Sequence, residues 1–526
     1  MPNKNLFQTS RSSVPVTDTR NEAGGVAYSM SAKHALAQLA STGCFNDTFY
    51  VSGETQLNDI LALVKQVSPE FVAKTAIYAR ERGFMKDMPA LLLASLSKNS
   101  DLFAKVLPRV VDNPKMLRNV VQMLRSGKTG RKSLGTRPKK AIQARLASWD
   151  DKTLFRGSVG NNPSLADIVK MVHPKPADAG RDAMFRYLIG KDFELKNLPD
   201  TVQAFEAFKK GTTQEVPDVP FEMLTALPLN QKQWAQIARN ASWTQTRMNL
   251  NTFLRHGVFN ESGMDRLVAD KLKNKDLIAK AKVFPYQLMV AFVNCEDGVP
   301  AVVKNALQEA MEHATHNVPK LDGKVYICPD VSGSMQSPVT GGRGSATTKV
   351  RCIDVAALVA STILRKNPEA EVIPFEGTVV DIKRLNLNPF DSIMTNAAKL
   401  VSVAGGSTNC SAPLALLNTR KAKGDLVVYI SDYESWVDSG HVSNGWYGGS
   451  RGTATMDQWK VFQHRNPKAK MVCIDITPNR TLQATNRKDI LNVGGFSDQV
   501  FDVVNAFLVD GLDGEAWTRK IEAVTI

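Results

Sequence analysis

The 526-residue sequence is poor in cysteine and in long apolar runs. Its six cysteines are widely scattered, with no C-x-x-C pair and no Cys/His spacing typical of zinc sites. We therefore expect buried thiols in a reducing compartment instead of a disulfide scaffold. The longest apolar stretch, near residues 89–96, is far shorter than the ~20 residues of a membrane span. The first twenty residues lack the apolar core of a signal peptide, so we expect a cytoplasmic protein with no membrane partner.

Negative charge is scarce in the first three-fifths of the chain. The whole sequence holds 66 Lys and Arg against 51 Asp and Glu, a net charge of +15. Residues 1–320 hold 44 basic and 30 acidic side chains, a net of +14, whereas residues 321–526 are close to neutral at +1. Residues 101–150 alone hold 12 basic and 3 acidic side chains. This asymmetry predicts two functional parts, of which the first meets a polyanion.

Strand signals are almost absent between residues 32 and 311, whereas helix signals recur. Ser68 and Asn113 each precede a proline, which fits an N-cap followed by proline at the first helical position. Ser164 and Asp167 have the spacing of a capping box. Short helices joined by capped turns predict an α-solenoid of irregular helical repeats. We expect a flexible arm over residues 1–20 and a helical module over residues 21–318.

Residues 319–526 have a different sequence pattern, in which short β-branched runs alternate with helical stretches. Strands are predicted at 325–328, 371–375, 426–431 and 471–476, and helices at 350–364 and 395–403. This alternation predicts a parallel, doubly wound α/β domain, so the fold class is multidomain α plus α/β. Ligands of such domains bind at the carboxyl ends of the strands.

Oxygen-bearing side chains lie where three segments of this domain should meet. Asp330, Ser332 and Ser334 directly follow the first strand, Thr408 lies in a Gly/Ser-rich loop, and Asp432 follows the strand at 426–431. All-oxygen ligands suit a hard divalent cation, most simply Mg²⁺. The three segments resemble the metal-ion-dependent adhesion site of von Willebrand A domains, which implies capture of a carboxylate from a protein partner. The alternative is a vestigial site that serves only structure.

Cationic side chains crowd residues 124–147, around two glycines and a proline. Multiple contacts from Lys and Arg to phosphate would give sequence-tolerant, salt-dependent binding of nucleic acid. Farther along, histidine and arginine could stack on unpaired bases while lysine holds phosphate, as in recognition of single-stranded RNA. The alternative is a solvated charge run that keeps the protein in solution. The candidate RNA contacts are Lys128, Arg131, Lys132, Arg137, Lys139, Lys140, Arg156, His173 and Lys175.

Several longer segments point to one family. They are NEAGGVAYSM (21–30), the basic loop, NPSLADIVKMVHPKP (162–176), GGSTNCSAPL (405–414), SDYESW (431–436) and RKDILNVGGF (487–496). In this order they resemble the Ro family of RNA-binding proteins, which are built from a TROVE module and a von Willebrand A domain. The resemblance covers nearly the whole chain outside the N-terminal arm, and we expect a bacterial Ro orthologue.

The resemblance to the Ro family implies an architecture and a set of RNA contacts. It implies a ring of HEAT-like helical repeats closed by the von Willebrand A domain, with Y RNAs on a basic outer surface and single-stranded ends of misfolded or damaged RNAs in a central hole. By motif position, His173 matches an RNA-contacting histidine and Arg156 a basic contact. Gly160 stands where relatives carry a second basic residue, for which Lys152 or the loop at 128–140 could compensate. Bacterial relatives tether an exoribonuclease, polynucleotide phosphorylase, through a Y RNA.

The resemblance therefore implies a non-catalytic scaffold or adaptor in RNA quality control, processing or decay. The main alternative is a metal-dependent protein-interaction module with a peptide-binding helical solenoid, for which Asp330 would be decisive. A third hypothesis is a nuclease or another metal-dependent enzyme. Because the cation site has mainly hydroxyl ligands and the sequence shows neither a second metal site nor a general base, we expect no enzymatic activity.

Overall fold

The computed structural model describes residues 14–281, 283, 285–314, 318, 320–342, 344, 348–381, 385–403, 405–438, 452–509 and 513–526. The chain divides into two compact units. An α/β unit comprises the described residues of 1–66 and 317–523, and a helical unit comprises those of 67–316 together with 524–526. Residues 1–13 of the predicted N-terminal arm lie outside the described residues.

Helices near one another in sequence pack together in the helical unit. The described helices are α3 (Pro69–Glu81), α4 (Asp87–Ser95), α5 (Ser100–Val110), α6 (Pro114–Arg125), α7 (Thr136–Ser148), α8 (Asp151–Arg156), α9 (Leu165–Val172), α10 (Ala179–Ile189), α11 (Asp200–Lys209), α12 (Phe221–Leu224), α13 (Gln231–Asn240), α14 (Trp243–Met248), α15 (Leu250–Arg255), α16 (Met264–Lys273), α17 (Lys275–Ala281), α18 (Pro285–Val293) and α19 (Ala301–Ala314). For example, α3 contacts α4 and α5, α6 contacts α9, and α16 contacts α19. This arrangement agrees with the prediction of irregular helical repeats.

Side-chain caps determine where several of these helices begin. The Ser68 hydroxyl accepts a hydrogen bond from the Phe71 N–H at 3.2 Å, and Asn113 caps α6 in the same way. Ser164 accepts from the Asp167 N–H at 3.0 Å while Asp167 accepts from the Ser164 N–H at 2.9 Å. The capping box predicted from the sequence is therefore present at the start of α9.

The α/β unit is built on a parallel sheet. Its helices are α1 (Ala32–Thr42), α2 (Gly53–Val64), α20 (Cys352–Lys366), α21 (Ile393–Val401), α22 (Ala412–Thr419), α23 (Ala454–Arg465), α24 (Asp498–Leu508) and α25 (Ala516–Glu522). Its strands are β1 (Thr19–Arg20), β2 (Val26–Ser29), β3 (Val325–Pro329), β4 (Glu371–Val372), β5 (Leu426–Ser431), β6 (Lys470–Asp475), β7 (Thr481–Leu482) and β8 (Ile490–Gly494). Within the described ranges, β4-β3-β5-β6-β8 form the parallel sheet and β1-β2-β7 an antiparallel one.

Both faces of the parallel sheet are covered. All residues of β5 are buried. Val427 and Tyr429 of this strand belong to a core cluster with Trp459 and Phe462 of α23. The intervening residues of β5 point to the opposite face, and α20 packs against β3 and β5. The prediction of a doubly wound α/β domain is therefore confirmed.

The N-terminal residues differ from the sequence-based division of the chain. Residues 14–66, assigned there to a flexible arm and to the helical module, lie in the α/β unit. Strand β1 pairs with β2, β2 pairs with β7, and α1 packs against β8. A local hydrophobic pattern does not reveal the pairing of β2 with β7 or the packing of α1 on β8, because these partners lie far apart in the sequence.

The described part of the chain contains no helix that combines the length and the apolar composition needed to cross a bilayer. Of the six thiols, Cys328, Cys352, Cys410 and Cys473 are buried as expected, whereas Cys44 and Cys295 are half-buried. Burial raises the pKa of Cys473 to about 12, so this thiol stays protonated and unreactive at neutral pH.

Candidate metal centre and basic surface

Three segments meet at the carboxyl end of the parallel sheet, where β3 and β5 finish. The Asp330 N–H donates to the Ile430 carbonyl at 2.9 Å and joins the ends of these two strands. The Gly333 N–H donates to the Gly406 carbonyl, also at 2.9 Å, and joins the turn after β3 to the loop before α22. The structure thus brings together the three segments that carry the predicted cation ligands.

Asp330 is the centre of a hydrogen-bonded cluster of oxygen atoms. Its carboxylate accepts from the Ser332 N–H at 2.8 Å and from the Ser431 hydroxyl at 2.5 Å. The hydroxyls of Ser332 and Ser334 lie 3.4 Å apart, and Ser334 also hydrogen-bonds Asp432. Four of the five predicted ligands are therefore linked, directly or through one neighbour, in one hydrogen-bonded network.

Thr408 is held in place through its backbone. Its carbonyl accepts from the Trp436 N–H at 3.2 Å and from the Val437 N–H at 3.3 Å, which fastens the loop before α22 to the loop after β5. The five predicted ligands are all buried, with exposures of 0% for Asp330 and Ser332, 6% for Ser334 and 2% for Thr408 and Asp432. Such a site is preformed by the fold.

The electrostatics of the cluster fit a cation. Burial, followed by the charge of Asp432, raises the pKa of Asp330, and burial raises the pKa of Asp432. Two neighbouring buried carboxylates are costly to ionise unless a positive charge compensates them, and hydroxyl and carboxylate oxygens are ligands that Mg²⁺ accepts. Nowhere in the described ranges do three or more His, Cys, Asp or Glu side chains cluster as a metal site. The candidate centre instead combines two carboxylates with three hydroxyls.

Residues that the sequence analysis did not select surround this centre. Glu434 is fully buried and accepts from the Ala23 N–H at 3.1 Å. Burial, and then the charge of Asp432, raises its pKa to about 8. The Asn479 side-chain amide donates to the Asp432 carbonyl, and the Tyr50 hydroxyl hydrogen-bonds the Ser334 side chain. The sequence could have indicated Glu434, because it lies two residues after Asp432. It could not have indicated Tyr50, which lies far away in the sequence.

The basic loop between α6 and α7 is partly a structural element. Lys128, Lys132, Arg137 and Lys140 are exposed, and Arg131 and Lys139 are half-buried. The Arg131 guanidinium donates to the Ser97 carbonyl at 3.0 Å, and Leu134 is buried. Arg131 therefore fastens the loop, and the lysines provide most of its exposed charge. Helix α7 begins at Thr136, slightly before the predicted start at Pro138.

Arg156 already has an acidic partner. Its guanidinium donates to Asp218 at 2.9 Å, and Lys152 contacts the other oxygen of the same carboxylate at 2.9 Å. Hydrogen bonding to Lys152 is the largest cause of the lowered pKa of Asp218. Arg156 and Asp218 also line a cavity of about 120 Å³ next to α12. For Arg156 to bind phosphate, the phosphate must compete with Asp218.

His173 terminates α9 in the left-handed conformation, with φ 51°, and its side chain is exposed. The Gln143 side-chain amide donates to the carbonyls of Val172 at 2.5 Å and His173 at 3.3 Å, so α7 holds the end of α9 in place. Lys175 is also exposed two residues later. The imidazole is therefore presented outward from a backbone that is fixed on both sides.

Position 160 has no basic side chain, but the guanidinium of Arg118 lies next to it. Gly160 has φ +112°, and a Cβ built on it would lie 1.7 Å from Nη1 of Arg118. The Arg118 guanidinium thus fills the space over Gly160. Its Nε is buried and, among the described residues, has no hydrogen-bond partner. Arg118 belongs to α6, so no pattern in the segment around Gly160 indicates it.

The parallel sheet covered on both faces, with its Asp-x-Ser-x-Ser turn joined to Thr408 and Asp432, defines a von Willebrand A type of domain. Residues 324–508 match the family model described as the Ro60 vWA domain. The matched range lies inside the predicted domain of residues 319–526.

The similarity to Ro proteins extends over nearly the whole chain. The chain is 25% identical over 532 aligned positions to RNA-binding protein RO60 of Deinococcus radiodurans, an alignment that covers 93% of this chain and 94% of that protein. The crystal structure of the Deinococcus radiodurans RO (RSR) protein matches with a TM-score of 0.62 at 19% identity, over 92% of this chain and 100% of the other. The resemblance to the Ro family and the predicted fold class are confirmed.

Proposed function

We propose that this chain is a Ro-type RNA-binding protein. The observation that carries the proposal is a cluster of exposed cations on α6, α7 and α9, which we call the α6/α7/α9 surface. Helix α9 packs against both α6 and α7, and Gln143 ties α7 to the end of α9. The exposed members of this surface are Arg125, Lys128, Lys132, Arg137, Lys140, Lys170, His173 and Lys175.

The chemistry of this surface favours RNA with unpaired segments. Lysines and arginines bind phosphate irrespective of sequence, while the exposed imidazole of His173 can stack on a base. The similarity to a protein named for RNA binding supports the same function. We propose that the ligands are Y-like noncoding RNAs and single-stranded ends of misfolded or damaged RNAs. The protein would then act as a scaffold in RNA quality control, processing or decay.

A gel-shift assay tests the proposal with a structured RNA that bears a single-stranded 3′ tail. Lys139→Glu combined with Lys140→Glu should weaken binding at least tenfold, because two attractive phosphate contacts become repulsive. The matched control, Lys275→Glu with Lys280→Glu, reverses two exposed charges of α17 in the same helical unit and should bind as the wild type does. No RNA affinity, together with capture of a protein partner that Asp330→Ala abolishes, would favour the peptide-binding alternative instead.

The identity of the RNA and of further partners follows from a second experiment. Crosslinking in cells and sequencing of the attached RNA should recover Y-like RNAs and 3′ ends of defective transcripts. An exoribonuclease such as polynucleotide phosphorylase should co-purify with the chain and be lost after ribonuclease treatment, because RNA is the tether. Recovery of both from the cytoplasmic fraction would agree with the predicted location.

We also propose that Asp330, Ser332, Ser334, Thr408 and Asp432 hold one divalent cation, most simply Mg²⁺. The ion would neutralise the two buried carboxylates and offer a coordination position to the carboxylate of a protein partner. Saturating Mg²⁺, at about 100 times its dissociation constant, should stabilise the α/β unit by about 2.7 kcal/mol and raise its melting temperature. Asp330→Asn should abolish this rise, and an equal rise in the variant would contradict the assignment.

The proposed role requires no catalysis by the chain itself. RNA incubated with the protein and Mg²⁺ should remain intact, because the candidate centre offers one cation position and no evident general base. RNA cleavage that disappears in Asp432→Ala would overturn this part of the proposal, whereas cleavage that persists in that variant would indicate a contaminating nuclease.

A further inference from the structure

A segment from the start of the α/β unit lies against the candidate metal centre. Residues 44–51, which we call the covering segment, attach to the loop that follows Ser334. The Cys44 thiol and the Asn46 amide both donate to the Thr340 carbonyl, at 3.0 and 2.6 Å, and the Gly342 N–H donates to the Asp47 carbonyl at 2.7 Å. Asp47 and Gly342 also form an isolated antiparallel bridge.

Internal contacts give the covering segment a defined shape. The Thr48 hydroxyl hydrogen-bonds the Val51 carbonyl at 3.0 Å, and the Asp47 carboxylate accepts from the Gly53 N–H at 2.9 Å. A Cβ at Gly53 would lie 2.2 Å from the Phe45 carbonyl oxygen, so the close return of the chain requires glycine there. These bonds direct Tyr50 toward the metal centre from a rigid turn.

Tyr50 is the residue of this segment that reaches the candidate ligands. Its hydroxyl hydrogen-bonds the Ser334 side chain. Tyr50 is half-buried and Ser334 is only 6% exposed, so the contact lies at the border between the buried centre and solvent. Phe49, 62% exposed, packs edge-on against Tyr50 with ring centroids 4.7 Å apart. Trp436, which is 49% exposed, is anchored to Thr408 and adds a second exposed aromatic group near the centre.

We propose that Tyr50 blocks the solvent-facing side of the candidate metal centre, and that a carboxylate from another molecule must displace Tyr50 to reach the cation. This inference rests on the proposed cation and concerns which ligands can join it. The ligand that best fits is an acidic side chain of a protein next to an apolar residue, because Phe49 and Trp436 would remain beside it. Tyr50 thereby sets the affinity of the centre for such ligands.

Titration of the full-length protein tests this inference, with Mn²⁺ as the metal probe and acetate as the carboxylate probe. Calorimetry reports Mn²⁺ binding, and the electron paramagnetic resonance of bound Mn²⁺ reports acetate. Tyr50→Ala should raise acetate affinity about tenfold, because it removes both the ring and the hydrogen bond. Tyr50→Phe keeps the ring and should raise acetate affinity about threefold. Phe390→Ala, which removes an exposed aromatic side chain of the same unit outside the covering segment, is the control and should leave it unchanged.

The possible outcomes separate the two proposals. Equal acetate affinity in the wild type, Tyr50→Ala and Tyr50→Phe would overturn the role of Tyr50 while leaving the cation proposal intact. Mn²⁺ binding that Asp330→Asn does not weaken, or absence of binding in the wild type and in Tyr50→Ala, would overturn both. Mn²⁺ binding gained only in Tyr50→Ala would support the inference. RNA affinity should be unchanged in each Tyr50 variant, so the RNA-binding proposal does not depend on the result.

Discussion

At the scale of single residues, Arg118 supplies a positive charge next to Gly160. The sequence has no basic residue at position 160, where the Ro resemblance implies one, and the structure places the Arg118 guanidinium directly over that glycine. Burial lowers the pKa of Arg118, yet a guanidinium remains charged at neutral pH. A positive charge is therefore present beside Gly160, although another helix supplies it.

Gly160→Ala should destabilise the helical unit by about 1–3 kcal/mol, mainly because alanine must keep φ +112°, and because the new Cβ displaces the flexible end of the Arg118 side chain. Thermal unfolding followed by circular dichroism measures the loss. Gly211→Ala is a reference for a positive φ without a contact, since Gly211 has φ +75° and nothing within 4 Å of a built Cβ, and it should cost about 1 kcal/mol. A smaller loss at position 160 than at 211 would contradict the contact.

Arg118→Met should weaken RNA binding by about three- to tenfold, because it removes a charge from the edge of the α6/α7/α9 surface and keeps the bulk of the side chain. Fluorescence anisotropy with a labelled RNA is the measurement. Arg118→Lys restores the charge and should recover most of the affinity. Equal affinity in all three proteins would show that the guanidinium serves only to pack over Gly160.

At the scale of elements, α1 illustrates packing that local pattern does not report. This helix begins after Ser31, whose hydroxyl accepts from the His34 N–H, and it packs against β8 and α25. His34 is 1% exposed, its ring meets Trp517 edge-on with centroids 5.4 Å apart, and its Nδ1 lies 2.9 Å from the Asn486 side-chain amide. Burial lowers the pKa of His34 to about 4, so the folded chain holds the ring neutral.

The stability of the α/β unit should consequently depend on pH. Above pH 6.5 His34 is neutral in both the folded and the unfolded chain. As the pH falls from 6.5 toward 4, only the unfolded chain binds the proton, so up to about 3 kcal/mol of stability is lost across that window. Comparing the melting temperatures of the wild type and His34→Gln over this range isolates the effect from carboxylate titration. Parallel curves for the two proteins would contradict it.

Elements were predictable where their signals are local. The start of α9 follows from a capping box and the bounds of β5 from a continuous β-branched run, and both coincide with the structure. Strands β2 and β8 were missed. Strand β2 pairs with β7, and β8 is covered by α1, and in both cases the partner lies far away in the sequence. The residues proposed as cation ligands could be selected from the sequence because each lies next to the end of a strand or in a glycine-marked loop. Tyr50 could not, because it lies in a distant part of the sequence.

At the scale of the whole molecule, charge follows the observed division into units. Residues 67–316 hold 38 basic and 25 acidic side chains, a net of +13 out of +15 for the chain. Moving the N-terminal 66 residues to the α/β unit therefore leaves the basic excess on the helical unit. The near-neutral α/β unit carries the candidate cation site instead. The molecule thus separates the proposed polyanion-binding function from the proposed cation-dependent one.

The dependence of RNA affinity on salt tests the central claim most directly. Dissociation constants for a tailed RNA, measured between about 50 and 200 mM salt, should rise steeply and give a linear plot of log affinity against log salt. Lys139→Glu with Lys140→Glu should lower affinity and reduce the magnitude of the slope by about 1–2, since about two phosphate contacts are lost, while Lys275→Glu with Lys280→Glu should change neither. Affinity that is independent of salt, or equal in the two double variants, would contradict phosphate-led RNA binding by the α6/α7/α9 surface.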